Sequence, residues 1–276
     1  MRTGTFFITI FVIPFFCLAS GKVDTLKIED IEKVALEKIA SVGSENVLVI
    51  YDIDNTLLAM NQDLGSDQWF NWQADLVKAK KFKFAAAKTF NDLLALQKKL
   101  FALSSMHPVQ KDTSEIVKRI QQQKIQSIVL TSRGVELRSD TERELKKANI
   151  DFSKSAFGPA NGYAETFFIE GDESSKPISF MNGIIMGSGQ NKGKVLKAIL
   201  QKAEIKFKVI LFADDTVSNI ENIENEFSKD VDLYTFHYTH EDKHIKAFEK
   251  NKSKAIHDWR RLRPVLSEIF HKNTEF

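Results

Sequence analysis

The segment from Val47 to Leu58 constrains the fold more than any other part of the chain. It begins with apolar, largely β-branched residues, which indicates a strand buried on both faces, and it continues into Asp52 and Asp54. Open α/β sheets bind ligands beyond the carboxyl ends of their parallel strands. Residues two apart on an extended chain share a face, so both carboxylates can point at one ligand. Two neighbouring acids repel each other, which predicts a metal ion or a positive side chain beside them.

The rest of the chain alternates between strand and helix patterns. Apolar runs predict further strands from Ile125 to Thr131, from Phe207 to Phe212 and from Val231 to Tyr238. Helices are predicted over residues 28–40, 112–123, 135–148, 192–202 and 216–227. This alternation is typical of a parallel sheet covered by helices on both faces. We therefore expect an α/β fold with a Rossmann-like, three-layer architecture.

A helical insert is predicted within this core. From Leu57 to about His107 no strand pattern occurs, and apolar residues recur at helical spacing. The predicted domains are a core of residues 21–58 and 108–276 and an insert of residues 59–107. Trp69 and Trp72 of the insert could contact an organic ligand, but their spacing is first that of residues packing within a helical core.

Two further predictions concern the second half of the chain. Thr166 to Glu170 and Ile178 to Met186 are predicted to form a small antiparallel accessory ribbon, with Asn182-Gly183 as a tight hairpin turn. The tail is predicted to be helical, with a break near Pro264.

Composition limits the cellular setting and the class of partner. The chain has 276 residues and a net charge of +2, which provides no general attraction to nucleic acid. Arg2, an apolar run to Leu18 and small residues at 19–21 resemble a secretory signal peptide, predicted to comprise residues 1–20. We expect an exported protein, periplasmic or extracellular, without a stable membrane span after cleavage. An uncleaved anchor is the alternative, although the run is shorter than the ~20 residues that span a bilayer.

Cys17 is the single cysteine of the sequence and lies within the predicted signal peptide. The processed chain would therefore contain no disulfide, catalytic thiol or thiolate metal ligand. Lipidation of Cys17 is a further alternative, opposed by the bulky Phe16 before it.

Polar residues of particular kinds follow three of the predicted strands and begin one helix. They are Asp52 and Asp54, Thr131-Ser132-Arg133, Asn191-Lys192-Gly193-Lys194, and Asp214-Asp215. In this order they resemble the four motifs of the haloacid dehalogenase superfamily, over about residues 46–225. The chain also resembles, more weakly, an uncharacterised branch of exported bacterial members of that superfamily.

The resemblance implies a role for each motif residue in phosphoryl transfer. Asp52 would be the nucleophile that forms an aspartyl-phosphate, and Asp54 the general acid and base. Thr131, Ser132 and Lys192 would bind the phosphate, with Lys194 as a rival for the role of Lys192.

The resemblance also implies Mg²⁺ as the cofactor, which favours oxygen ligands. The metal ligands would be the carboxylates of Asp52 and Asp214 and the backbone carbonyl of Asp54. Asp215 and Asn219 would support the metal site.

The function that the sequence predicts is that of an exported Mg²⁺-dependent phosphatase acting on a small-molecule phosphomonoester. Asp54 favours phosphate over halide chemistry, because the family's dehalogenases lack this second acid. The insert occupies the position of the family's cap, which closes over the site. The alternative is a non-catalytic, metal-binding module that retains the fold.

Other functional interpretations of parts of the chain have less support from the sequence. Asp52 to Asn55 could begin a calcium loop, but Leu57 stands where that loop requires glycine. The basic, aromatic run from Lys78 to Phe84 could stack on bases, although a solvated helix face is the simpler interpretation. A zinc site could use three histidines, His237, His240 and His244. Arg133 could bind a substrate anion or pair with an acid of its own helix.

Overall fold

The computed structural model describes residues 21–269, which contain nine strands and nine α-helices. The strands are β1 Gly21–Thr25, β2 Val47–Tyr51, β3 Leu58–Met60, β4 Met106–Pro108, β5 Gln126–Thr131, β6 Ser179–Met181, β7 Ile184–Met186, β8 Val209–Asp214 and β9 Asp232–Tyr238. The helices are α1 Glu29–Val42, α2 Asp67–Lys78, α3 Phe90–Leu103, α4 Thr113–Gln122, α5 Arg138–Lys147, α6 Lys192–Lys202, α7 Val217–Phe227, α8 Asp242–Lys250 and α9 Ser253–Ile269.

Seven strands form the central sheet in the order β1-β9-β8-β2-β5-β7-β6. Every neighbouring pair is parallel except β6 and β7. Strand β2 lies in the middle of the sheet, between β8 and β5. The carboxyl ends of these three strands therefore meet at one edge, directly after Tyr51, Thr131 and Asp214.

Alternating side chains of β2 divide the core into two layers. Val47, Val49 and Tyr51 pack with apolar residues of α1, α4 and α5. Leu48 and Ile50 face the other way and pack with residues of α6 and α7. Because both faces of β2 are covered, its sequence is continuously apolar. The predicted α/β fold with three layers is confirmed.

The predicted insert region leaves and re-enters the core through a short two-stranded ribbon of β3 and β4. Helix α5 stabilises the return of the chain, since the Arg143 guanidinium donates hydrogen bonds to the backbone carbonyls of Phe101, Ala102 and Ser104. The buried carboxylate of Glu144 accepts a hydrogen bond from the backbone N–H of Met106 at 2.9 Å. The expectation that residues 57–107 contain no strand is wrong, because three-residue strands are too short to give a periodic pattern.

The C-terminal helices share a buried apolar cluster with α2 and α3. Trp69 of α2, Phe248 of α8 and Trp259 of α9 belong to one buried apolar cluster. The rings of Trp72 and Phe248 are 6.1 Å apart and meet edge to face. Trp69 and Trp72 thus serve the core of this helical layer, in agreement with the packing interpretation of their spacing.

The predicted accessory ribbon is wrong in part. The hairpin turn at Asn182-Gly183 is present, with positive φ at both residues, as such a turn requires. Its second strand, however, pairs parallel with β5 and so belongs to the central sheet. Of the strand predicted at Thr166 to Glu170, a single bridge between Phe167 and Ile178 is formed.

The predicted helix break near Pro264 is also wrong, since α9 continues through it. Proline cannot donate to the carbonyl four residues earlier, that of Arg260. Both residues are exposed, so water can satisfy this carbonyl.

Some predictions concern residues that the structure does not describe. The predicted signal peptide, residues 1–20, and Cys17 within it lie outside the described range. Within residues 21–269, no helix has both the length and the apolar character needed to cross a membrane.

Candidate active site

The turn after β2 brings two acids to the sheet edge. The amide of Asp52 donates to the carbonyl of Ala213 at 2.9 Å, which continues the pairing with β8. The chain then turns back on itself, because the amide of Leu58 donates to Ile53 O at 2.9 Å and Asn55 adopts a φ of 57°. Asparagine tolerates this left-handed conformation better than most residues.

Lys192 lies between acids from two strands. Its Nζ is 2.8 Å from Asp52 Oδ1 and 2.6 Å from Asp214 Oδ2, and the side chain is 1% exposed. Burial alone would lower the pKa of Lys192, but the carboxylates of Asp214 and Asp52 raise it above its ordinary value. Lys192 is therefore a permanently charged cation within the site.

The start of α6 holds Lys192 in this position. The side-chain oxygen of Asn191 caps the helix by accepting a hydrogen bond from the backbone N–H of Lys194 at 3.0 Å. The side-chain amide of Asn191 donates to the side-chain oxygen of Asn222 in α7. A Cβ atom at Gly193 would collide with the backbone carbonyl of Asn222, so glycine allows α6 to approach α7 closely. The side chain of Lys194 is exposed on the opposite side, which leaves Lys192 as the lysine of the site.

Asp214 and its neighbours complete the acidic part of the site. Asp214 is fully buried, and its Oδ1 accepts hydrogen bonds from the Thr216 amide at 2.8 Å and the Asn219 side chain at 3.0 Å. Asp215 Oδ2 accepts from Asn55 Nδ2 at 3.2 Å. The bond from Asn55 joins Asp215 to the turn after β2, and the other two hold Asp214 at the start of α7.

Asp52, Asp214 and Asp215 each present a carboxylate oxygen, and these oxygens lie within 4.8 Å of one another. Burial raises the pKa of Asp52 to about 7; Lys192 lowers it, and the charges of Asp214 and Asp54 raise it. Burial and the charge of Asp214 likewise raise the pKa of Asp215. Negative charge is thus in excess, and a cluster of three hard oxygen donors suits a divalent cation.

Asp54 is held by a two-point ion pair with Arg133. Arg133 Nε donates to Asp54 Oδ2 at 2.9 Å, and Nη2 donates to Oδ1 at 2.8 Å. Arg133 also donates to Thr141 of α5, and its guanidinium lies 4.2 Å from the ring centre of Phe101 in α3. The predicted pairing of Arg133 with an acid of its own helix is not found, because its partner is Asp54, an acid of the preceding motif.

Thr131 and Ser132 occupy the end of β5, beside the same cavity. The Thr131 side chain is buried, and its Oγ1 accepts the amide of Arg133 at 3.2 Å. Ser132 is exposed. Helix α5 begins at Arg138, so a short turn rather than an α-helix directly follows these two residues.

A cavity of about 600 Å³ opens over the acids. Asp52, Asp54, Thr131, Ser132, Asp215 and Asn219, all predicted from the sequence, line it. Lys192 and Asp214 lie beneath, buried. Helices α2 and α3 provide the opposite wall, with Phe70, Phe90 and Leu94 among its residues.

Asp67 at the start of α2 also lines the cavity and was not predicted. Burial raises the pKa of Asp67 to about 7, and the charges of Asp54 and Asp214 contribute to this rise. Its sequence context, Ser66-Asp67, is that of an ordinary helix start, and Ser66 does cap the helix. The fold alone reveals that this start faces the site.

The three histidines of the zinc alternative have separate partners. His237 Nδ1 lies 2.8 Å from Asp24, His240 Nδ1 2.8 Å from the carbonyl of Leu26, and His244 Nε2 3.0 Å from Asp63. Within residues 21–269, Asp52, Asp214 and Asp215 form the one cluster of potential metal ligands. The histidines do not join it.

Comparison with known proteins places the chain in a family. No curated protein matches it. Residues 24–271 match the model of a family described as "Protein of unknown function (DUF2608)". The matched range contains every residue of the site described above and nearly all of the chain. The protein therefore belongs to the DUF2608 family.

Proposed function

We propose that this protein is an exported Mg²⁺-dependent phosphatase that hydrolyses a small-molecule phosphomonoester through an aspartyl-phosphate. The observation that carries the proposal is Lys192, a buried cation between Asp52 and Asp214 at the floor of a cavity. The resemblance of these motifs to the haloacid dehalogenase superfamily supports the same reaction. Phosphoryl transfer depends mainly on positioning and charge stabilisation, and this arrangement supplies both.

The first half of the reaction uses Asp52 as the nucleophile. A carboxylate oxygen of Asp52 attacks the phosphorus, and the bond from phosphorus to the ester oxygen breaks. The leaving oxygen keeps the electron pair and takes a proton from Asp54. Lys192, 2.8 Å from Asp52, offsets the negative charge that gathers at the attacking carboxylate.

The second half releases phosphate. Water attacks the phosphorus of the aspartyl-phosphate and gives its proton to Asp54, while the bond to Asp52 breaks. Arg133 holds the ionised form of Asp54, which accepts this proton, at the cavity wall, since it donates to both carboxylate oxygens. Thr131 and Ser132, at the end of β5, are the polar side chains that would contact the phosphate oxygens.

The acids could hold Mg²⁺ with the carboxylates of Asp52, Asp214 and Asp215, which extends the predicted set of Asp52, Asp54 and Asp214. When bound, the ion supplies positive charge that offsets both the acids and the phosphate. Asn219 and Thr216 orient Asp214 through its other oxygen.

The test is phosphate release from a broad panel of phosphomonoesters, with and without Mg²⁺, for the wild type, Asp52→Asn and the control Asp230→Asn. Asp230 is exposed and does not line the cavity. We expect Mg²⁺-dependent release by the wild type and the control and none by Asp52→Asn. Acid-quenched wild type should carry phosphate on the peptide that contains Asp52.

Two outcomes would contradict the proposal. Metal-dependent release that persists in Asp52→Asn would exclude the covalent mechanism. A folded wild type that releases no phosphate from any ester would favour the alternative function, a non-catalytic metal-binding module.

A further inference from the structure

The wall of the cavity opposite the acids is apolar and open to a ligand. Phe90 and Leu94 of α3 line it and remain 46% and 40% exposed. Phe70 of α2 lies beside them, with its ring 6.0 Å from that of Phe90 in an edge-to-face arrangement. Large apolar side chains left exposed beside a polar site are typical of a surface that a ligand covers.

Two amide groups of this wall are engaged within the protein. Gln97 donates its amide to the carbonyl of Gly65 at 2.6 Å. Asn71 donates to Asp67 at 2.9 Å. Gln97 Oε1 has no hydrogen-bond partner among residues 21–269, so the wall combines aromatic and aliphatic contact with a free acceptor.

Charge around the cavity disfavours a second anion on the ligand. Asp67, close to the motif acids, and Glu136 also line the cavity, and Lys176 is the lysine among its lining residues. With Asp54 paired to Arg133, the residues that line the cavity still carry more negative than positive charge. A leaving group with its own carboxylate or second phosphate would be repelled.

The size of the cavity indicates an organic group larger than a few atoms. Pockets of about 300–1,000 Å³ accept drug-sized ligands, and this one measures about 600 Å³. Phosphate fills a small part of such a volume. The remaining space extends between the acids and the aromatic wall.

We propose that the site selects a phosphomonoester whose leaving group is uncharged and apolar, with an aromatic ring that packs on Phe70, Phe90 and Leu94. This inference rests on the proposed function for the position of the phosphate. It adds the class of substrate and the residues that select it.

The test measures binding, so that it stays separate from turnover. In the presence of Mg²⁺, calorimetry compares the wild type's affinity for 3-phenylpropylphosphonate, propylphosphonate and 3-phosphonopropionate. Burying a phenyl ring should make the first ligand about 30-fold tighter than the second. The carboxylate should make the third ligand weaker than propylphosphonate.

Variants test whether the apolar wall causes the preference for the phenyl ligand. Phe70→Ala combined with Phe90→Ala should reduce the preference for the phenyl group to about threefold. Phe82→Ala is the matched control, because Phe82 is similarly exposed but does not line the cavity. Leu94→Lys, at an exposed position that should preserve folding, should weaken the phenyl ligand and strengthen 3-phosphonopropionate.

Three results would overturn the inference. They are equal affinities for the phenyl and propyl ligands, tightest binding of 3-phosphonopropionate, and no binding of any of the three. Phosphate release without the phenyl preference would contradict this inference alone. The phenyl preference without any phosphate release would contradict the phosphatase proposal and leave the ligand class standing.

Discussion

Replacing Lys192 with methionine should remove a charge on which two buried acids depend. Methionine has a similar length and no charge, so the change keeps most of the volume. Asp214 is fully buried and Asp52 nearly so, and each has its Lys192 contact within 2.8 Å. Removing one partner of a buried ion pair costs about 3–5 kcal/mol, because the remaining charge is left uncompensated. We expect the free energy of unfolding at pH 8 to fall by that amount.

The loss should depend on pH through Asp52. Lys192 stays charged across pH 5–9, because the pKa of Lys192 in the folded protein lies above its ordinary value. The pKa of Asp52 is about 7 with Lys192 present, and it should rise when Lys192 is absent. Below pH 7 Asp52 is protonated in both proteins, so less of the ion pair is lost. Above pH 7 the difference should grow by up to about 1.4 kcal/mol per pH unit.

The assay is urea unfolding of metal-free protein at pH 5, 7 and 8, with Lys194→Met as the control. Lys194 lies two residues further along the same helix but is exposed, so its replacement should change stability by less than about 0.5 kcal/mol. Equal losses for the two variants would refute the role given to Lys192. A loss at pH 5 larger than that at pH 8 would refute the electrostatic reasoning.

Three further predictions concern the surroundings of this pair. Arg133→Leu removes two charged hydrogen bonds to Asp54, so urea unfolding should show a loss of about 2–3 kcal/mol, and an unchanged midpoint would contradict the ion pair. Trp259→Ala empties a buried position between α9 and α2 and should cost about 3 kcal/mol in the same assay; a loss below 1 kcal/mol would show that the tail packs elsewhere. Because the pKa of Asp67 is raised to about 7, its charge destabilises the folded protein increasingly as pH rises from about 4 through 7. Asp67→Asn should therefore raise the Tm of metal-free protein at pH 8 and change it little at pH 4.5, whereas a lower Tm at pH 8 would contradict this.

The strands at the centre of the sheet could be predicted from the sequence because burial on both faces leaves a strong local signal. Val47 to Tyr51 is continuously apolar, and helices cover both of its sides in the structure. The strands of the ribbon, Leu58–Met60 and Met106–Pro108, have no such signal. They pair because the insert brings distant segments together, a condition that no short window of sequence contains.

The candidate site also contains residues that the sequence predicts and contacts that only the fold reveals. The motif favours Lys192 and leaves Lys194 as a rival, and the packing of α6 on α7 at Gly193 decides that Lys192 faces the acids. Asp67 is thirteen residues from Asp54 in a different element, so its proximity depends on the fold of the insert. Arg133 pairs with Asp54 for a comparable reason, since both lie at neighbouring strand ends. Motif residues were accessible to sequence reasoning, and their partners from other elements were not.

The tail and the insert together determine how the apolar wall is held. Phe248 and Trp259 pack against α2, and His244 lies 3.0 Å from Asp63 at the base of the insert. Helix α3 is joined to α5 by Arg143 on the opposite side. A wall fixed from two sides keeps Phe70 and Phe90 at a set distance from the acids, so selection would depend on the shape and charge of the existing cavity. Loosening the tail should therefore weaken discrimination between phenyl and propyl ligands before it affects the acids themselves.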